Sequence, residues 1–347
     1  MARKKVQEVL LSFGKIVLVV SFVTLFVCPY SCRLTEEGIT VLKSDYRVPK
    51  IENFSVLSES CAKLSFSQTS QLKNLIISPQ VQFSVEDDFY KNSDSIHSVV
   101  VNFNESLSPG AEYVVFGTAC DEIGNSLTFS IPFFGYNNNI PKLKIVEVHP
   151  GNGSYSYKKN KVYVTEYVVL EVVDDGNLAS ILLFSAWDGE DSGYVFPAVN
   201  VKKGEKILVH LRTRDDEKSG AIDELEDDIT LSTASFSKDS MRDLWNPDSS
   251  SKCNDKTDII VLKDTGSDLI LDAIMYATSE TVEWQNDNMT SLAEQIASSE
   301  LWNGFSPSDA ICSDSLTSTK CFVKTAEINE KSSWKIDACK LNAAAMQ

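Results

Sequence analysis

Hydrophobic and polar residues alternate in short bursts from Ile51 to Phe133, and polar turn residues separate the bursts. This pattern predicts strands at Ile51–Val56, Ala62–Phe66, Asn74–Ile77, Val81–Val85, Ser98–Phe103, Tyr113–Thr118 and Leu127–Phe133. In the second burst Leu64 and Phe66 share one face, with Ser65 and Ser67 on the other. A polar stretch ending at a proline, Gly135–Lys142, reads as a short linker. A second series then follows at Leu143–Val148, Val162–Val173, Ala179–Ala186, Lys206–Leu211, Asp258–Leu262 and Leu269–Tyr276. One helix is expected in the later part of the chain. It starts at an S-x-x-E capping box, Ser291 and Glu294, carries Leu292 and Ile296 on one face with Leu301 near it, and stops at Gly304. Trp284 and Trp302 flank or lie on it and read as seals for the end of a sandwich, with binding of sugars or a partner protein as the alternative.

The fold class expected is all-β, with two immunoglobulin-like β-sandwich domains in tandem, the second carrying loop insertions and a short helix. Residues 48–136 resemble a bacterial immunoglobulin-like domain through the motifs LSFS at 64–67, ISP at 77–79, LSPGAEYVV at 107–115 and DEIGN at 121–125. Leu107, Pro109 and Gly110 ahead of Tyr113 can set up a tyrosine corner. Residues 141–336 resemble the lamin-tail domain, another sandwich. That resemblance rests on Ile145, Glu147, Glu166, Tyr167, Leu170, Glu171, Asn177, Leu178, Tyr194, Phe196, Gly204, Glu205, the run from Asp258 to Tyr276, and Trp334. Residues 212–257 and 280–310 read as insertions, and 337–347 as a tail.

The first 32 residues add an address. Arg3, Lys4 and Lys5 precede an apolar run from Ile16 to Val27, followed by Cys28 and by Ser31-Cys32. This resembles a bacterial lipoprotein signal, residues 1–32, ending at a lipidated (palmitate-type) cysteine, with 33–47 as tether. Cys32, preceded by the small Ser31, is the lipidation site expected; Cys28 is its competitor, and an uncleaved transmembrane anchor is the rival reading. Using Cys32 leaves six cysteines, Cys61, Cys120, Cys253, Cys312, Cys321 and Cys339, an even number suited to disulfide bonds in an oxidising compartment. Cys312 and Cys321 are close enough in sequence for a local bridge. Cys61 and Cys120, on the strands above, fall at opposite poles of a sandwich, which argues against joining them.

Charge narrows the partners. The formal net charge is -17, and such a surface repels phosphate backbones, which excludes nucleic acid as a partner. Eight acidic residues fall between Asp215 and Asp228, and a carboxylate-rich loop can hold a hard cation, so Asp223, Glu224, Asp227 and Asp228 are the candidate metal ligands. A solvated, mobile acidic loop is the competing account. His97, His149 and His210 lack ligand-like spacing, and no nucleophile elbow, zincin, P-loop or dinucleotide motif occurs.

No catalytic residue and no cofactor is expected. The reading of the whole is a lipoprotein of the bacterial cell envelope, held to the membrane through its N-terminal lipid. Its first domain serves as a stalk and its second contacts protein or glycan. The alternative is an exported hydrolase, metal-dependent through residues 215–228.

Overall fold

The computed structural model describes residues 47–88, 97–151, 153–157, 160–213, 220–234 and 236–339. The expected signal, the lipidation site Cys32 and the tether lie outside them. Among the described residues no helix is long and apolar enough to cross a membrane.

The chain is all-β. Seven strands build the first sandwich: β1 (Ile51–Ser58), β2 (Cys61–Phe66), β3 (Gln71–Ser78), β4 (Phe83–Asp88), β5 (His97–Phe103), β6 (Glu112–Cys120) and β7 (Ser126–Phe134). They form a four-stranded sheet, β1-β2-β5-β4, and a three-stranded sheet, β3-β6-β7, the partition of a constant-type immunoglobulin sandwich. Alternation decides what faces inward. Leu64 and Phe66 from one sheet meet Val115, Phe129 and Phe133 from the other. The opposite face of β2 is covered too: Ser65 is buried and hydrogen-bonds Ser98 Oγ at 2.8 Å across the pair. The tyrosine corner forms, with the Ser108 amide donating to Tyr113 Oη at 3.2 Å.

The second sandwich is larger. One sheet has six strands in the order β17-β16-β11-β8-β21-β22, where β8 is Lys142–His149, β11 Tyr167–Asp174, β16 Lys206–His210, β17 Arg242–Trp245, β21 Lys320–Lys324 and β22 Trp334–Ala338. The facing sheet runs β14-β13-β18-β19-β20, where β13 is Ile181–Ser185, β14 Tyr194–Val195, β18 Asp258–Asp264, β19 Leu269–Ala277 and β20 Ile311–Cys312. On β11, Val168, Leu170 and Val172 enter the core between the sheets. Tyr167 and Val169, of the other parity, pack outside it with Leu208 and Phe236. The expected single strand Val162–Val173 is two, β10 (Asn160–Val164), which pairs with β9 (Gly153–Tyr157), and β11, divided at Thr165-Glu166; a further short pair joins β12 (Gly176–Asn177) to β15 (Asn200–Val201). Both residues at the break are buried, and the Glu166 carboxylate accepts from the Lys252 amide at 3.0 Å.

Three further expectations are corrected. The helix α1 spans Asp287–Ser298 and is capped by Asn286, whose side chain accepts from the Met289 amide at 2.8 Å. The Ser291–Glu294 pair therefore lies inside the helix rather than at its start, because an earlier Asn supplies an equally good cap. The segment 212–257 is not a loop free of the sandwich. It returns as β17, a parallel neighbour of β16, and places Phe236 on the outer face of the six-stranded sheet. The cysteines Cys61, Cys120, Cys253, Cys312, Cys321 and Cys339 are all thiols in the structure. A local Cys312–Cys321 bridge fails because β20 and β21 belong to opposite sheets.

The connection between the sandwiches is tied down. Asn137 Nδ2 donates to Asn177 O at 2.7 Å and to Ala179 O at 2.8 Å, and Asn137 Oδ1 accepts from the Asn139 amide at 3.0 Å. Gly110, at φ +67°, lets the first sandwich approach so closely that a Cβ there would lie 2.7 Å from Ala179 Cβ.

Candidate functional site

The four acidic residues singled out as metal ligands do not converge. Glu224 is fully buried, its Oε1 accepting from the Leu231 and Ser232 amides at 3.0 Å each and its Oε2 from the Asp243 amide at 2.7 Å. Asp223 accepts from the Trp245 amide at 2.6 Å. Asp228 caps its own turn, through the Thr230 amide at 3.0 Å and hydroxyl at 2.7 Å, and Asp227 is exposed. Among the described residues no group of three or more His, Cys, Asp or Glu side chains could hold a metal ion. Glu224 and Asp223 instead fasten residues 220–246 to the sheet, so the account of a wholly solvated loop is also corrected for Glu224. Asp215, Asp216 and Glu217 lie outside the described residues.

A cavity of ligand size lies elsewhere, along the seam between two sheet edges. β20 ends one sheet and β22 ends the other, and each is paired on one side only. Between them opens a cavity of about 640 Å³, within the size range of small-ligand sites. Thr278, Ser279 and Thr281 lie just past β19; Pro307, Ser308 and Ala310 form the opposite rim; Lys331, Trp334 and Lys335 close the third side. The lining contains no carboxylate and no histidine, although the chain has 49 Asp and Glu residues.

The two tryptophans beside α1 set the rim. Trp284 Nε1 donates to Phe305 O at 2.7 Å and Trp302 Nε1 to Asp309 O at 3.2 Å, while both rings are buried. Between those anchor points Pro307–Asp309 forms a single 3-10 turn with a reciprocal capping box from Ser306 and Asp309. The Ser306 hydroxyl, donating to Asp309 at 2.6 Å, holds that carboxyl below its ordinary pKa range. Across the seam Lys331 Nζ donates to Ser308 O at 2.7 Å, and Lys335 Nζ pairs with Asp337 at 2.7 Å. Ser279, through its hydroxyl and amide, keeps the exposed Asp314 carboxyl ionised to lower pH than usual.

Trp334, which lines the seam, carries a buried donor without a partner. Its side chain is 6% exposed and its Nε1 has no hydrogen-bond partner. A buried donor left unmade costs about 1–3 kcal/mol. Lys324 Nζ sits 5.6 Å from the centroid of the same ring, and burial lowers this lysine's pKa. Nothing in residue spacing announces the site. Trp334 drew notice only as part of the lamin-tail resemblance, and Lys331 and Lys335 drew none.

Fold and seam together define a class: a bacterial β-rich protein of two sandwiches whose second sandwich bears a ligand-sized cavity. Within that class the chain belongs to the TP_1001_2nd family, described as "protein second domain", whose profile matches residues 141–336. It is similar to an uncharacterized protein of Treponema pallidum (strain Nichols), 28% identical over 222 residues, which are 64% of this chain and 53% of that protein. The chain thus spans about half the length of that relative. Two solved structures are also similar in part. One is a DUF4876 family protein from Bacteroides thetaiotaomicron VPI-5482, with 14% identity, TM-score 0.24, and coverage of 62% of this chain and 75% of that one. The other is the N-terminal part of the bacterial S-layer protein SbsC, with 13% identity, TM-score 0.23, and coverage of 67% and 45%.

Proposed function

We propose that this is a lipid-anchored protein of the bacterial envelope that binds a ligand through its second, lamin-tail-like sandwich, with the first sandwich as its stalk. Cys32, after the basic and apolar start of the chain, is the proposed anchor. The ligand class that fits the seam is a glycan bearing carboxylate groups. Hydroxyls at Thr278, Ser279 and Ser308 match a hydroxyl-rich ligand, and Lys331 and Lys335 match its negative charge. The carrying observation is a cavity wall that holds Lys331 and Lys335 and no carboxylate. A lining without carboxylate or histidine lacks the acid–base pair of glycoside hydrolysis, which favours binding over the hydrolase alternative.

The test is calorimetry of the full chain with uronic-acid oligosaccharides and their neutral counterparts. Binding of the acidic series, weakened roughly 10-fold in Lys331→Ala/Lys335→Ala by loss of about 1.4 kcal/mol of charge-assisted hydrogen bonding, is the expected result. No difference between acidic and neutral sugars, or full affinity in Lys331→Ala/Lys335→Ala, would remove the seam from the proposal. Intact mass of protein taken from its native envelope tests the anchor: a lipid-bearing N-terminal Cys32 supports it, and a chain still starting at Met1 refutes it.

A further inference from the structure

Away from the seam, the outward face of the three-stranded sheet β3-β6-β7 carries apolar side chains in the open. Ile76 is 59% exposed, Phe116 41% and Phe134 60%. Register sets Ile76 opposite Phe116 across β3 and β6, and sets Val114 opposite Pro132 and Glu112 opposite Phe134 across β6 and β7. Ile77, Val115 and Phe133, of the other parity on the same strands, belong to the core of the first sandwich, so alternation holds the first set outward. Single exposed apolar residues are ordinary, but neighbours on one face mark a contact surface.

The same face has no net charge. Among the residues that parity turns outward on these three strands, Lys73 and Glu112 alone are charged, and they cancel, in a chain of formal net charge -17. The edge strand of the other sheet differs. β4 ends in Glu86, Asp87 and Asp88, the kind of charge that keeps a sheet from pairing with its neighbours.

We propose that this face docks a second copy of the chain, sheet against sheet, about a two-fold axis that crosses β6 at Val115. Two copies of like net charge repel, and this patch is where neither carries an excess. A two-fold at Val115 reverses the strand direction between the copies. The row holding Ile76 and Phe116 then covers the row holding Val114 and Pro132 of the second copy, apolar on apolar. Lys73 lies beside Thr118, and Thr118 and Glu112 are equally far from Val115 along β6. Each lysine therefore faces the glutamate of the other copy, and the pair occurs twice. Facing sheets about 10 Å apart pack in this manner. The second sandwich leaves the Phe134 end of the face open. Three strands about 4.8 Å apart, each up to nine residues long, give a face of roughly 400 Å² per copy, about half of a standard interface. The dimer is accordingly weak, with a dissociation constant between micromolar and millimolar.

The experiment is sedimentation equilibrium of the full chain at loadings from micromolar to millimolar. Wild type should pass from monomer toward dimer as concentration rises. Phe116→Glu and Ile76→Glu, both at exposed positions outside the core, should abolish that shift. Lys73→Glu, which sets like charges face to face, should weaken association roughly 10-fold, and Lys73→Glu/Glu112→Lys should restore it. A wild type that stays monomeric throughout, or that dimerises no better than Phe116→Glu, would overturn the proposal. A double swap no tighter than Lys73→Glu alone would overturn the two-fold.

Discussion

Replacing Glu224 tests whether the acidic segment is architecture. Its carboxylate serves the amides of Leu231, Ser232 and Asp243. Leu231 is exposed, so water can replace the lost acceptor there. Ser232 and Asp243 are buried, and each orphaned amide costs about 1–3 kcal/mol, so Glu224→Ala should destabilise the second sandwich by about 4 kcal/mol. Glu224→Gln keeps one acceptor oxygen but turns an NH₂ toward a donor, and should lose about half as much. Urea unfolding followed by tryptophan fluorescence measures both. Trp245 is a local reporter, because its Nε1 donates to Ser232 Oγ at 3.2 Å and its ring stacks on His210. Retention of stability within about 1 kcal/mol in Glu224→Ala, well below the cost of two buried orphans, would refute the reasoning. So would a rise in the wild-type transition with millimolar calcium that Glu224→Gln abolishes, which would make this carboxylate a cation ligand.

Two further predictions concern the sandwiches themselves. Asp258 is buried and accepts from Ser185 Oγ at 2.6 Å and from the Asn254 amide at 2.9 Å, yet burial outweighs these donors and pushes its carboxyl up to about 7. The folded state then holds a proton that the unfolded state releases near pH 4, so stability falls as pH rises from about 4 to about 7, by about 4 kcal/mol, and is flat above. Melting curves of wild type and Asp258→Asn should therefore converge or cross over that window, and parallel curves would refute the assignment. In the first sandwich, Tyr113→Phe removes the acceptor of the Ser108 amide and should cost about 1 kcal/mol in urea; no loss would show that the corner bond contributes nothing.

What could be read from the residues follows the range of the interactions involved. The first sandwich was legible because its strands pair mostly with near neighbours and bury one face, so Leu64, Phe66, Val99 and Val101 announce themselves by alternation. The start of α1 was misplaced because two capping signals lie close together and only packing of Met289, Ala293 and Ile296 selects Asn286. β17 was invisible. Four residues, Arg242–Trp245, form a strand because β16 offers its free edge from far back in the chain. Composition could not separate Glu224 from the acids around it, since only the fold turns one of them inward. The seam is built from three segments around 278–281, 307–312 and 331–336, each unremarkable alone. Lysine and serine at those positions have no period to betray them.

The Asn137 clasp and the Gly110 approach make the pair of sandwiches a lever rather than two beads on a string. The proposed tether upstream of Arg47 would let the molecule pivot at its foot but not at its waist. The seam would then sweep an arc of fixed radius above the foot, instead of exploring a sphere. Tumbling measured by NMR relaxation would report one correlation time for both halves. Asn137→Ala would split it in two, and the reach of the seam would become a distribution in place of a length.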